Sequence, residues 1–127
     1  MSAFADIAAV APKQIWDGVL GRVIHGDRVT LAIAELDPDT VIPEHNHENE
    51  QVGMIITGSL TFRVGEETRE LGPGGTWRIP ATVPHRVQTG PDGAVVVEVF
   101  APPRSDWDSL ECLKTCQPRW PKRNRRS

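Results

Sequence analysis

At 127 residues, with 39% hydrophobic and 24% charged residues, the chain has the size and composition of one globular domain, which excludes a disordered or fibrous protein. Its net charge of −3 is unevenly spread: five of the fourteen basic residues fall in the last nine positions, and the rest of the chain carries nine positive against seventeen negative charges. So acidic a body excludes nucleic acid as the main partner, because neutralising phosphates needs a basic face.

In chain order, the N-terminal MSAFADIAAVAPKQ lacks a basic region ahead of its short apolar stretch, so no signal peptide is expected. No apolar run approaches the roughly 18 residues of a membrane span. A short helix is expected around residues 4–10. The body then reads as strands: GRVIHG, RVTLAIAEL, QVGMIITGSLTFRV, TRELG, GTWRIP, HRVQTG and AVVVEVFAP. Between them stand DPDT, EHNHEN, GEE, GPGG, PATVP and GPDG, all rich in residues that favour turns. Strands so closely spaced, with no long amphipathic helix between them, predict an all-β sandwich or barrel. A second helix is expected over residues 105–115, with Ser105 and Asp106 as caps and Trp107, Leu110 and Leu113 at helical spacing. Cys112 and Cys116 form no disulfide framework and read as free thiols of a reducing cytoplasm. Residues 117–127 read as a basic, solvated tail.

The chemistry concentrates in IPEHNHENEQVG, residues 42–53. His45 and His47 alternate, so an extended chain presents both on one face, each offering a neutral ring nitrogen to a divalent metal. Alone, an HxH pair is a surface turn more often than a ligand pair. Three features shift that balance. Gln51 continues the alternation with an amide oxygen, whereas Glu50 has the opposite parity and is expected outside. His85 follows Pro80 and Pro84, which fix the turn that aims it. Gly58 stands where a strand pair is expected to reverse.

Together these residues resemble the cupin superfamily, whose first motif runs G-x5-HxH-x(3,4)-E-x6-G and whose second runs G-x5-PxG-x2-H-x3-N. HNHENEQVGMIITG supplies His45, His47 and Gly58, with Gln51 in the place of the motif's glutamate. GGTWRIPATVPHRV supplies Gly74, Pro80 and His85, with Thr82 for the motif's glycine and Gln88 or Thr89 near its asparagine. The resemblance spans about residues 22–103 and is strongest to small one-domain cupins, down to the closing VFAPPRSDW.

The resemblance implies a cupin jelly-roll β-sandwich or barrel in one domain (1–127, core about 22–103) that pairs as a homodimer. It also implies one divalent ion per chain, held by His45, His47, His85 and Gln51. Zinc is favoured, with nickel, iron or manganese chemically acceptable. Without the glutamate the donor set is neutral, which suits Lewis-acid chemistry better than oxygen activation. Glu98, the one acid in AVVVEVF, and His25, at a strand end, are the candidate proton carriers; His25 is also a candidate ligand.

By alternation Gly53, Ile55 and Thr57 share a face with Gln51, and Val83 and Val87 with His85. Trp77, Phe62 and Phe100 are expected in the core. Arg63 and Arg78, strand arginines in this region, form no pair, so the cavity is expected to be apolar and without an anion clamp. The small cupins that the chain resembles include polyketide cyclases of aromatic-polyketide antibiotic biosynthesis, which implies an apolar keto/enol substrate and ring closure by intramolecular aldol chemistry as the leading reading. The alternatives are an isomerase of unsaturated uronates, a cupin dioxygenase and a non-enzymatic binding protein.

Overall fold

The β-branched runs do form strands, and two of those strands are far longer than the turn residues suggest. The computed structural model describes residues 2–122. It contains β1 (Lys13–Trp16), β2 (Val19–His25), β3 (Thr30–Leu36), β4 (Val41–His45), β5 (Glu50–Val64), β6 (Glu67–Leu71), β7 (Thr76–Ile79) and β8 (His85–Ala101). The pairings are antiparallel, in the order β1-β2-β3-β8-β5-β6, with β4 on β8 and β7 on β5. The architecture is all-β, an antiparallel jelly roll in a single small domain, as expected.

The frame is the β5–β8 pair. Its register runs from Gln51↔Phe100 and Gly53↔Glu98 at one end to Phe62↔Val87 and Val64↔His85 at the other. Gly58 does not reverse the chain, contrary to expectation. β5 runs through it with register shifts on either side, and GPDG is likewise absorbed into a continuous β8. Gly58 has φ +83, and a Cβ there would lie 2.0 Å from the Gly93 carbonyl oxygen, itself in a residue at φ +71. Paired left-handed glycines thus let two strands cross and bend where a turn seemed required. The bend folds the sheet over a core of Val19, Leu60, Phe62, Trp77, Ile79, Val87 and Val96, all buried.

The terminal helices are also corrected. The first is a single 3-10 turn, Ile7–Ala9, capped by Asp6. The second is a 3-10 turn, Ser105–Ser109, whose N-cap position is Arg104, and the chain beyond it runs extended until Cys112 bridges to Lys13. Nor is the whole of residues 117–127 free. The fully buried Arg22 donates to Glu35 (2.7 Å) and to the Cys116 carbonyl (3.0 Å), and the Arg119 backbone N–H donates to Glu35 (2.8 Å). Residues 123–127 of that segment lie outside the described residues. Among the described residues no helix is long and apolar enough to cross a membrane.

Candidate metal centre

β4 pairs with the start of β8, setting His45 opposite His85, while His47 follows β4 in the loop that leads into β5. The three rings bring ligand nitrogens within 4.8 Å of one another, the one such histidine, cysteine or carboxylate cluster among the described residues. The same detail orients every ring. Nδ1 donates to a backbone carbonyl at 2.9 Å in each case: His45 to Pro43, His47 to Asn49 and His85 to Val83. A carbonyl only accepts, so Nδ1 carries the proton and Nε2 of a neutral ring keeps its lone pair. The His85 Nε2 is buried with no hydrogen-bond partner.

Gln51 lies beside this cluster. Its Nε2 donates to Glu98 Oε1 at 2.7 Å, which turns its Oε1 towards His47 Nε2, 3.1 Å away. Two acceptors facing each other at that distance repel unless a proton or a cation lies between them. An orphaned nitrogen and this opposed pair are what a divalent ion requires, so His45, His47, His85 and Gln51 fit a metal through three imidazoles and one amide oxygen. Burial opposes charging the rings. His85 is pushed down to about 4 by burial and then by the neighbouring imidazoles, and His47 is lowered mainly by burial and then by Arg104. Glu50 is exposed, outside the site as its parity predicts.

A narrow, partly open cavity beside these ligands, with about 60 Å³ of free space, is lined by residues including Trp16, Gln51, Glu98, Phe100, Arg104 and Trp107. Glu98 is among them, and burial pushes its carboxyl up to about 7, against the opposing pull of Gln51 and Arg104. The Trp77 indole N–H is directed towards it without reaching hydrogen-bonding geometry. Gly53 makes this approach possible, since a Cβ there would stand 2.6 Å from the indole ring.

Two expectations fail here. His25 is not in the cluster: it is exposed at the end of β2, with Nδ1 2.8 Å from Thr30 Oγ1 and Nε2 3.2 Å from Asp108, so it is neither a ligand nor poised over the cavity. The wall is not without a cation either. Arg104, 8% exposed, lines it with the guanidinium 4.8 Å from the Phe100 ring and 4.1 Å from the Trp107 ring. Its Nε and Nη2 donate to Asp106 (3.0 and 2.9 Å). Trp16, packed 5.1 Å from the His45 ring, was also not singled out from sequence. The signal for Trp16 was the Asp17-Gly18 pair inside QIWDGVLGRV, a hairpin turn that makes β1 a strand. Arg104 lies beyond the last strand, where alternation says nothing.

A profile of the cupin domain matches residues 32–100, and the chain belongs to the cupin family. Among curated proteins it is similar to the H2HPP isomerase of Bacillus subtilis, 29% identical over 89 residues, covering 67% of this chain and 37% of that protein. Among solved structures it resembles KdgF of Halomonas sp. (21% identity, TM-score 0.76, 84% of this chain and 98% of that one). It also resembles the polyketide cyclase RemF of Streptomyces resistomycificus (27% identity, TM-score 0.69, 80% of each chain). Enzymes that cyclise and isomerise thus stand among its relatives.

Proposed function

We propose that this chain is a metal-dependent enzyme that moves a proton on a small keto/enol substrate, with isomerase-type chemistry, and that the substrate carries an anionic group. The observation that carries this reading is the Gln51–Glu98 pair, which combines a neutral donor set with a carboxyl group one hydrogen bond behind it. When bound, a divalent ion, zinc in our reading, supplies a positive centre that draws electron density from a carbonyl or enol oxygen. Glu98 is the cavity group suited to taking and returning the proton, and its bond to Gln51 holds the carboxyl in place. Arg104 is the cation of the wall; with Nε and Nη2 held by Asp106, its Nη1 is the donor left to give a substrate carboxylate a charge-assisted partner. The aromatic faces of Phe100, Trp107 and Trp16 bound the rest of the space.

Arg104 removes the reason for preferring ring closure over isomerisation. Polyketide cyclisation remains the second reading, favoured by the apolar wall and by the 27% identity to RemF. We further propose that the chain pairs as a homodimer. The face of the sheet turned away from the cavity carries an apolar row of Ile24, Leu31, Val99 and Val52, in register across four strands.

The test is anaerobic turnover of the zinc-loaded protein on a panel of 2-keto acids, unsaturated uronates and poly-β-ketone mimics, with substrate and product masses compared. An unchanged mass with a relocated proton supports isomerisation, and loss of water supports ring closure. A product that forms only with dioxygen and gains oxygen overturns both readings.

A further inference from the structure

His25 lies outside the metal centre, yet its two ring nitrogens join separate elements. Asp108, whose carboxylate can only accept, lies 3.2 Å from Nε2, so Nε2 carries the proton and Nδ1 of the neutral ring is an acceptor. Thr30 Oγ1, 2.8 Å from Nδ1, must then donate its hydroxyl proton to His25. That leaves only lone pairs on Oγ1 for its other neighbour, the backbone N–H of Arg104, which donates to it at 2.9 Å. Thr30 is fully buried, its hydroxyl covered by the His25 ring. The chain of bonds therefore runs from the surface contact of His25 with Asp108, through one buried hydroxyl, to the backbone of the arginine in the cavity wall.

The same segment is held from the metal side. Asn49 accepts from His47 through its carbonyl, and its side-chain amide donates to the Pro102 carbonyl at 2.5 Å, two residues before Arg104. An exposed His–Asp pair contributes little stability of its own. Its value here lies in direction, because a rotated Thr30 hydroxyl would present a proton to the Arg104 N–H.

We propose that His25 is a positioning residue: through Thr30 it fixes the backbone of Arg104, and so the place where the cavity receives a substrate carboxylate. The carboxylate half rests on the anionic-substrate reading above; the positioning half does not. His25→Ala removes the acceptor. His25→Asn keeps an oxygen near the Nδ1 position and gives up the Asp108 contact.

The test has two readouts on the full-length, zinc-loaded protein. The first is hydrogen exchange of the Arg104 amide by NMR, which should quicken about tenfold or more in His25→Ala and return towards wild type in His25→Asn. The second is binding of phenylpyruvate against benzyl methyl ketone, which shares its ring and ketone but lacks the carboxylate. Wild type and His25→Asn should prefer the keto acid about tenfold, while His25→Ala should lose that preference and keep its affinity for the neutral ketone and for zinc. Unchanged Arg104 exchange in His25→Ala overturns the proposal, as does equal weakening for both probes. A wild type that does not prefer the keto acid defeats the anionic-substrate reading and the carboxylate half with it, while the exchange result still decides the positioning half.

Discussion

Burial beside neighbouring imidazoles disfavours charge on His85 and His47, whose ligand nitrogens lie within 4.8 Å of one another and of that of His45. For His85 the folded protein holds the ring at about 4 against 6.5 in the unfolded chain. Over that interval the unfolded state binds more protons, so the stability His85 confers is complete above about pH 6.5 and is lost as pH falls towards 4. Glu98 has the opposite sign: its raised value makes the folded state take up a proton between about 7 and 4.5, which offsets the loss. The His85 contribution therefore shows best as a difference. In metal-free protein, wild type minus His85→Asn should lose about 2 kcal/mol of unfolding free energy between pH 7 and pH 5, measured in urea. A pH-independent difference would count against a neutral His85. Gln51 makes a separate prediction. Gln51→Glu sets a second carboxylate against Glu98, 2.7 Å from the present amide nitrogen. Metal should bind more tightly by isothermal titration, while turnover falls about tenfold or more, because the added charge quenches the Lewis acid and Glu98 then keeps its proton.

At the scale of elements, the crossing of β5 and β8 sets where every site residue stands. Gly58→Ala would force a Cβ against the Gly93 carbonyl at positive φ, and should cost about 2 kcal/mol or more by denaturant unfolding. A change under about 0.5 kcal/mol would show that the bend is set elsewhere. This crossing also explains what the sequence could and could not disclose. His45, His47, Gln51 and His85 were legible because alternation and local turns decide which face a residue takes, and the structure brings these four together. Gly58 and GPDG were misread because a glycine that reverses a chain and one that lets two strands cross look alike until the partner strand is known. β4 was missed because Pro43 and exposed residues break its pattern. The helix expected after Ser105 gave way to an extended segment, since Cys112 finds a backbone partner in Lys13 that helical spacing cannot reveal. Arg104 and its link to His25 rest on contacts more than seventy residues apart in sequence.

For the whole molecule, the outward face of the sheet is divided. The C-terminal segment covers one end through Arg22, Glu35 and Arg119, while Ile24, Val52 and Met54 stay 43%, 41% and 40% exposed on the other. Met54 and the half-buried Val97 pair beside Val52 and Val99, so the open end carries an apolar patch of the kind that marks an interface. Val52→Asp with Met54→Lys should convert a dimer to monomer by sedimentation at tens of micromolar, leaving metal content unchanged. A monomeric wild type would remove the claim. In the proposed reaction one cavity, with Glu98 behind Gln51, transfers protons without redox chemistry. Its most direct test is exchange of the C3 hydrogens of phenylpyruvate in deuterated water, followed by NMR with the zinc-loaded protein under argon. Exchange should run well above that given by free zinc, and about a hundredfold slower in Glu98→Gln. Exchange no faster than with free zinc, or exchange unaffected by Glu98→Gln, would contradict it.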